Sequence, residues 1–299
     1  MKRVLITGIN GFIGNAAKEY FDRKYDVYGI DIVGEANDKQ FIVDMKTGDL
    51  RELLQRIQPD VIIHAAGGAN VSKSVEFPKT DFENCVEVFY NLLDSIRISK
   101  IKTKVIFLSS AAVYGNAKQL PISEDTELNP ISPYGLHKRM CEEIGEYYKC
   151  HYGMDICVLR IFSVYGPGLK KQIMWDMFQK FMGNGKIELF GTGDESRDFI
   201  YIDDFLRSIE IVMNTETEHT IYNIANGEAV TIREVAETFS QAMCGENRES
   251  FNNEVREGDP RFWKADITRI KALGYQPEIE LKDGIERYIE WAKAQMCEA

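Results

Sequence analysis

Two side chains able to exchange a proton, Tyr134 and Lys138, stand four residues apart in the chain. On a helix this spacing places both on one face, where the phenol and the ammonium can lie side by side. A neighbouring positive charge favours the phenolate, whose parent phenol has an ordinary pKa of about 10. The pair is therefore a candidate general acid and base for an alcohol or sugar hydroxyl. Because this spacing also occurs by chance on solvated helices, the surrounding elements have to support the role.

A third polar group, the hydroxyl of Ser110, directly follows a predicted strand at 104–109. Tyr134 and Lys138 belong to the next predicted helix, 131–152, so strand and helix can deliver all three side chains to one crevice. A hydroxyl donor, a phenolate and an ammonium beside a nicotinamide are suited to hydride transfer. We expect Tyr134 to exchange the substrate proton, Ser110 to hold the substrate oxygen, and Lys138 to bind the nicotinamide ribose and stabilise the phenolate.

The nicotinamide is suggested by three glycines, Gly8, Gly11 and Gly14, between a predicted strand at 3–7 and a predicted helix at 11–23. One glycine permits a tight turn, the next lets the backbone approach a pyrophosphate, and the last lets the helix pack closely on the strand. The helix N-terminus directs free N–H groups and the positive end of its dipole at the phosphates. This order of elements predicts a dinucleotide site.

Further residues complete the predicted cofactor site. Phe12 and Ile13 carry backbone N–H groups of the helix's first turn, and we assign both to the phosphates. Asp31 ends the next predicted strand, 25–31, where a carboxylate accepts both ribose hydroxyls and repels a 2′-phosphate, which favours NAD over NADP. Asp44 follows the next short strand and is either an adenine contact or an ordinary loop residue.

Small residues, Ala65, Ala66 and Gly67, follow a predicted strand at 61–64. At the carboxyl end of a parallel strand they leave room for a cofactor in the crevice. We interpret His64, which ends that strand, as a packed residue rather than a catalyst.

Strand and helix patterns alternate through the first half of the chain. The alternation predicts an α/β fold of the Rossmann type, with a doubly wound parallel sheet and right-handed crossovers. After about residue 165 the pattern is less regular and predicts a smaller mixed α/β C-terminal substrate lobe. We expect an NAD-binding domain over 1–165, to which some later segments return, and mainly a substrate lobe over 166–299. The other predicted elements are strands at 40–43 and 156–160 and helices at 49–57, 81–100, 232–243 and 283–294.

Composition excludes several classes of protein. The net charge of −11 over 299 residues argues against non-specific nucleic-acid binding. The six cysteines are scattered without a C-x-x-C motif, so we expect no metal site, no disulfide framework and a reducing compartment. No apolar run reaches the roughly 18 residues of a membrane span. We therefore expect a cytoplasmic protein without membrane attachment.

Taken together, these motifs resemble the extended short-chain dehydrogenase/reductase family, in particular nucleotide-sugar enzymes similar to UDP-glucose 4-epimerase. The resemblance covers nearly the whole chain and is carried by residues 7–14, 64–67, 110–115, 134 and 138, 160–168 and 193–204. It implies a nucleotide-diphosphate sugar as substrate, bound mainly by the second lobe. Arg197 and Arg256 then match arginines that grip the diphosphate, since a planar guanidinium suits phosphate. Asp259 matches a ribose contact, Asn84 a residue near the cofactor, and Ser163 a position near the sugar.

Departures from the family pattern narrow the reaction. Relatives that dehydrate or decarboxylate sugars usually carry an acid where this chain has Ala111 and Ala112, and alanine cannot act as an acid or base. Two reactions remain: 4-epimerisation through a transient 4-keto sugar, and NAD(P)H-dependent reduction of a nucleotide-linked 4-keto-6-deoxy sugar. Ser163, where 4-epimerases often have asparagine, and Ala69, where the UDP-glucose enzyme has a lysine, favour the reductase. Asp31 favours the epimerase, the reaction that we predict.

A third alternative is a non-catalytic sensor of NAD or a sugar nucleotide, because a fold does not establish catalysis. The complete set of Ser110, Tyr134 and Lys138 argues against it. Relatives commonly dimerise through the helices that correspond to 81–100 and 131–152, so the resemblance also implies a homodimer. Polysaccharide synthesis is the pathway that it suggests.

Overall fold

The computed structural model describes residues 1–68, 70–216, 219–254 and 261–297. The described strands, in chain order, are β1 Arg3–Thr7, β2 Asp26–Asp31, β3 Gln40–Ile42, β4 Val61–His64, β5 Lys104–Ser110, β6 Asp155–Ile161, β7 Ser163–Tyr165, β8 Ile187–Leu189, β9 Ser196–Arg197, β10 Phe199–Tyr201, β11 Ile221–Ile224, β12 Val230–Thr231 and β13 Glu249–Phe251. The α-helices are α1 Phe12–Phe21, α2 Arg51–Ile57, α3 Val71–Glu76, α4 Pro78–Phe82, α5 Val88–Ser99, α6 Pro133–Tyr152, α7 Gln172–Asn184, α8 Ile202–Asn214, α9 Ile232–Cys244, α10 Thr268–Ala272 and α11 Leu281–Cys297.

A seven-stranded sheet with the order β11-β6-β5-β4-β1-β2-β3 forms the centre of the fold. The pairs that join β3, β2, β1, β4, β5 and β6 in this order are all parallel. Strands of such a sheet are covered on both faces, so their sequences are almost continuously apolar, as β4 illustrates by being buried at every residue. The predicted doubly wound α/β fold is confirmed.

The strand order reverses at β1, which pairs with β2 on one side and with β4 on the other. In open α/β sheets the crevice outside the carboxyl ends of the strands at such a switch point is where ligands bind. The ends of β1 and β4, at Thr7 and His64, face each other in register. The topology therefore brings the glycine turn after β1 to the small residues after β4.

The long helix predicted at 81–100 is divided in the structure. It consists of α4, a π-helical turn at Glu83–Glu87, and α5. Gly67 lies close to this turn, because a Cβ built on it would stand 3.2 Å from the carbonyl oxygen of Asn84. A π-helical turn adds one residue to the helical repeat, and apolar periodicity cannot reveal that in advance.

The chain divides into two compact units. The N-terminal unit comprises 1–116, 125–161 and 209–222, and the C-terminal unit comprises 117–124, 162–208 and 223–299. The assignment of the second unit to a nucleotide sugar stays a prediction. Among the described helices, none combines the length and the apolar character that crossing a bilayer requires.

Candidate active site

The turn after β1 has a shape that only glycine allows. Gly8 has a φ of +71°, and a Cβ on it would stand 2.8 Å from the Cα of Ala66. A Cβ on Gly14 would stand 2.0 Å from the carbonyl oxygen of Gly8. The first turn of α1, with Phe12 and Ile13, has no acidic residue, and no side chain caps it at Gly11. This open, uncapped helix N-terminus fits a pyrophosphate, as the sequence predicts.

Backbone donors hold the carboxylate of Asp31 at the end of β2. Its Oδ1 accepts from the N–H groups of Ile32 at 2.7 Å and Val33 at 3.3 Å, and its Oδ2 accepts from Asn10 at 2.9 Å. A carboxylate oxygen has room for two donors, so Oδ2 can also accept from a ribose hydroxyl. Asp44 closes a turn, in which its Oδ1 accepts from the N–H of Lys46 at 2.9 Å, and its contact with the adenine stays a prediction.

The segment after β4 is tied to β1. The N–H of Ala65 donates to the carbonyl of Thr7 at 3.1 Å, and the N–H of Ala66 donates to Thr7 Oγ1 at 3.2 Å. His64 Nδ1 lies 2.8 Å from the same hydroxyl, and burial lowers the pKa of His64 to about 3. A neutral, buried imidazole is the packed residue that the sequence predicts, and Ala65 and Ala66 lie beside the glycine turn.

Helix α6 is set in place at its start. Ser132 caps it by accepting from the N–H of Gly135 at 3.2 Å, and Pro133 occupies the first helical turn. The N–H of Tyr134 donates to Ser74 Oγ at 3.0 Å. Such contacts satisfy the N–H groups that a helix leaves free at its beginning, and they fix the direction in which Tyr134 leaves the helix.

Tyr134, Lys138 and Ser110 lie together in the structure. The Lys138 Nζ donates to the carbonyl of Leu108 at 2.9 Å and lies 5.9 Å from the centre of the Tyr134 ring. The side chain of Ser110 lies close enough to the phenol of Tyr134 to lower its pKa through hydrogen bonding. Ser110 Oγ also accepts from the N–H of Ala112 at 3.2 Å. This arrangement would allow the phenol of Tyr134 to exchange a proton with a substrate oxygen while the hydroxyl of Ser110 and the cation of Lys138 lie close by.

The protein alone does not lower the pKa of Tyr134. Burial raises this pKa above its usual value, although the charge of Lys138 and the hydrogen bond with Ser110 act to lower it. For Lys138, burial acts to lower the pKa, but the influence of Cys85 and Tyr134 prevails and raises it. The ammonium therefore stays charged at neutral pH and favours the phenolate in the way the spacing predicts, while desolvation is the larger effect on the phenol.

A buried network behind this site could not be predicted from motifs. Glu142 accepts from Arg160 Nη2 at 2.7 Å and from Ser109 Oγ at 2.5 Å, and Arg160 Nη1 donates to the hydroxyl of Tyr114 at 2.9 Å. The network connects the strand that ends at Ser110 with α6. Glu142 follows Lys138 by one helical turn, and that position was the one available signal.

Asn84 lies in the π-helical turn, and its Oδ1 accepts from Lys46 Nζ at 3.2 Å. Its carbonyl oxygen is the atom that Gly67 approaches, so Asn84 stands next to the segment after β4. The structure therefore brings together the predicted cofactor residues of the β1 turn, the β4 segment and this helix.

In the C-terminal unit, Ser163 begins β7, and its N–H donates to the carbonyl of Asp198 at 3.0 Å. Arg197 lies in β9, where Nη1 donates to the carbonyl of Ser196 at 2.9 Å and the guanidinium lies 5.5 Å from the ring centre of Trp263. A backbone carbonyl and an aromatic ring therefore hold the guanidinium of Arg197. The other predicted substrate residues, Arg256 and Asp259, lie outside the described residues, as does Ala69.

Several known proteins are similar to this chain over nearly its whole length. A putative UDP-glucose 4-epimerase of Methanocaldococcus jannaschii is 33% identical over 303 residues, which cover 97% of this chain and 98% of the relative. A UDP-glucuronate 4-epimerase of Thermodesulfobacterium geofontis is 28% identical, with 97% and 95% covered.

Solved structures of UDP-sugar 4-epimerases are also similar to this chain over nearly its whole length. A UDP-N-acetylglucosamine 4-epimerase from Methanobrevibacter ruminantium, in complex with UDP-N-acetylmuramic acid, superposes with a TM-score of 0.90 at 26% identity, covering 99% of both chains. A UDP-glucuronic acid 4-epimerase from Bacillus cereus, in complex with UDP-glucuronic acid and NAD, gives 0.89 at 27% identity, with 98% and 99% covered.

The model of the NAD dependent epimerase/dehydratase family matches residues 4–225, which is most of the chain. The match includes the glycine turn, Asp31 and the pair of Tyr134 and Lys138. The predicted enzyme class and the predicted cofactor NAD are confirmed, and the roles of single site residues stay predictions. On its sequence, its fold and the match to this model, the chain belongs to the NAD dependent epimerase/dehydratase family.

Proposed function

We propose that this protein is an NAD-dependent 4-epimerase of a UDP-linked sugar and acts through a transient 4-keto sugar. The observation that carries the proposal is the set of Ser110, Tyr134 and Lys138, in which the phenol meets the serine and the ammonium lies beside its ring. Ala111 and Ala112 supply no acid for water elimination. Relatives along the full chain are named 4-epimerases of UDP-sugars, which supports UDP as the nucleotide.

When bound, NAD would supply reversible hydride transfer at C4 of the sugar, with removal and return on opposite faces of the 4-keto sugar. Tyr134 would take the proton of the 4-hydroxyl as the hydride leaves and give it back when the hydride returns. Ser110 would donate a hydrogen bond to the sugar oxygen throughout. Lys138, which the carbonyl of Leu108 holds in place, would stabilise the phenolate and offset part of the burial that raises the pKa of Tyr134.

The cofactor would lie across the ends of β1 and β4. The N–H groups of Phe12 and Ile13 would bind its phosphates, and Asp31 Oδ2 would accept from its ribose. Lys138 would bind the nicotinamide ribose. The glycines of the turn support this placement, because a Cβ on Gly8 or Gly14 would overlap the backbone of Ala66 or Gly8 and force the β1 turn out of its present shape.

For the substrate we propose that Arg197 binds the diphosphate, since a planar guanidinium, here 5.5 Å from the ring centre of Trp263, suits phosphate oxygens. Ser163 would lie near the sugar. Arg256 and Asp259 would contribute a second diphosphate contact and a ribose contact, as the family resemblance implies. The product, a nucleotide sugar, would serve polysaccharide synthesis.

We also propose a homodimer formed through α5 and α6. Five large side chains on these helices are exposed: Tyr90 and Ile98 on α5, and Leu136, Tyr147 and Tyr152 on α6. A patch of this kind, on two neighbouring helices, is typical of a self-complementary interface. It supports the dimer that the resemblance implies.

The test begins with protein purified without added cofactor. NAD released by denaturation is quantified, and native protein is incubated with UDP-glucose, UDP-galactose, their N-acetyl forms and UDP-glucuronic acid. Interconversion of one C4 pair, with NAD already bound, is the expected result. Tyr134→Phe should lower the rate by at least about a hundredfold with NAD still bound, whereas Glu143→Gln, at an exposed position on the same helix, should leave it unchanged.

Two outcomes would contradict the proposal. If no pair interconverts and the protein instead oxidises NADH with a 4-keto-6-deoxy sugar nucleotide, it is a reductase. If Tyr134→Phe leaves every biological activity of the protein intact, it is a sensor rather than an enzyme.

A further inference from the structure

Lys46 sits in a turn whose backbone is held on both sides. Its N–H donates to Asp44 Oδ1 at 2.9 Å, and its carbonyl accepts from Asn91 Nδ2 of α5 at 2.6 Å. Its ammonium donates to Asn84 Oδ1 at 3.2 Å. No described carboxylate lies within ion-pair distance of this ammonium, so its charge is not neutralised by the part of the chain that the structure describes.

This contact decides the orientation of the Asn84 side chain. An ammonium can only donate, so the oxygen of the amide must face Lys46 and the NH₂ group must face away from it. Among the described residues, none accepts a hydrogen bond from that NH₂ group. Asn84 therefore has two donors available for an outside acceptor, and Lys46 keeps them turned in one direction.

The position of Asn84 shows where these donors lie. Gly67 stands against its carbonyl, with a Cβ position 3.2 Å away, and the Cβ position of Gly8 lies 2.8 Å from the neighbouring Ala66. The segment Ala66–Gly67 after β4 thus lies between Asn84 and the glycine turn and contacts both. The π-helical turn at Glu83–Glu87 supports the same interpretation, because such turns frequently re-aim a side chain at a functional site.

We propose that Lys46 is a positioning residue for the cofactor. It would hold the NH₂ group of Asn84 toward the pyrophosphate, and its charge would complement the N-terminus of α1 on the other side. In this placement the two phosphates would bring negative charge toward Lys46, whose cation would lower the electrostatic cost of binding. The inference rests on the proposed placement of NAD, but it does not depend on which sugar is the substrate.

The test measures binding rather than turnover. Full-length protein freed of nucleotide is titrated with NAD, ADP-ribose and adenosine in a calorimeter, at low and at moderate salt. For Lys46→Met we expect NAD and ADP-ribose to bind about tenfold more weakly and adenosine, which has no phosphate, to bind as before. The salt dependence of NAD binding should also become shallower, because one cation is lost.

Matched variants separate this role from damage to the fold. Lys39→Met removes an exposed lysine that pairs with Asp26 at 2.7 Å, and it should change none of the three affinities. Asn84→Ala should also weaken NAD binding, and the double variant should lose less than the sum of the two single losses, because Lys46 acts partly through the Asn84 amide.

Three results would overturn the inference. One is an unchanged affinity for NAD in Lys46→Met. Another is an equal loss of affinity for adenosine, which would show that Lys46 acts on the adenosine part of NAD and not on its phosphates. A third is a fully additive loss in the double variant. Because no sugar is present, these outcomes differ from a failure of the epimerase proposal, which would leave the binding pattern intact.

Discussion

Two neighbouring glutamates of α6 form ion pairs of similar length that should differ greatly in importance: Glu142 pairs with Arg160 of β6, and Glu143 pairs with Arg139 of α6 itself. Glu142 meets Arg160 at 2.7 Å with side chains 6% and 4% exposed, and Glu143 meets Arg139 at 2.9 Å with side chains 63% and 41% exposed. The two glutamates are neighbours in sequence, so helix position hardly distinguishes them. Arg160 also donates to both carboxylate oxygens of Glu142, so we expect Glu142→Gln and Glu143→Gln to differ through burial and through these added hydrogen bonds.

The magnitude follows from the cost of an uncompensated charge. Glu142→Gln keeps the shape and an oxygen for Ser109, but it removes the negative charge facing the buried guanidinium of Arg160. Breaking a buried pair in this way costs about 3–5 kcal/mol, whereas an exposed pair contributes roughly 0–1 kcal/mol. Since domains are stable by only about 5–15 kcal/mol, the first variant should lose a large part of its unfolding free energy.

Urea denaturation followed by circular dichroism at neutral pH provides the measurement. We expect the free energy of unfolding to fall by about 3–5 kcal/mol in Glu142→Gln and by less than about 1 kcal/mol in Glu143→Gln. The double variant Glu142→Leu with Arg160→Met should recover most of the loss, because no buried charge remains. Equal losses in the two single variants would refute the reasoning, since burial would then not decide the strength of the pair.

Two further predictions concern the cofactor turn and pH. Gly14→Ala places a Cβ 2.0 Å from the carbonyl oxygen of Gly8 and should abolish co-purified NAD, whereas Gly183→Ala, with nothing within 4 Å of its Cβ, should retain it. The measurement is the amount of NAD per protein chain. Full NAD occupancy in Gly14→Ala would contradict the placement of the pyrophosphate at the glycine turn. Burial raises the pKa of Asp198 to about 7, against backbone donors that include Asn226, Gly227 and Ala265, so the folded protein binds a proton there that the unfolded chain has released. The stability that this proton contributes is present at low pH and is lost as pH rises through about 7. Between pH 5 and pH 8 the unfolding free energy of the wild type should therefore fall by roughly 2–3 kcal/mol relative to that of Asp198→Asn. If the difference between their urea midpoints does not change with pH, the backbone donors cancel the effect of burial on the pKa of Asp198.

The sheet was largely predictable because its strands carry a local signal. The predicted strands at 3–7 and 61–64 coincide with β1 and β4, since strands buried on both faces read as apolar runs. The short strands of the C-terminal unit escaped prediction. β7 and β10 have three residues each and exist because Ser163 pairs with Phe199, far along the chain. No local pattern contains that partner.

The site shows the same division. Tyr134 and Lys138 could be joined by their spacing, because a helix places positions four apart on one face. The pairs Glu142–Arg160 and Lys46–Asn84 are 18 and 38 residues apart, and no spacing rule connects them. Folding alone brings these groups into contact.

The sequence by itself determined which candidate functional groups the chain carries and their order: a glycine turn, an acid at the end of the second strand, a serine at a strand end, and a tyrosine and lysine on one helical face. Tertiary structure decided how those groups behave. It added the π-helical turn that presents Asn84, and it raised the pKa of Tyr134 by burial although Lys138 stands beside it. Types and spacings are local properties of a chain, whereas desolvation and long-range contacts depend on everything that packs around a group.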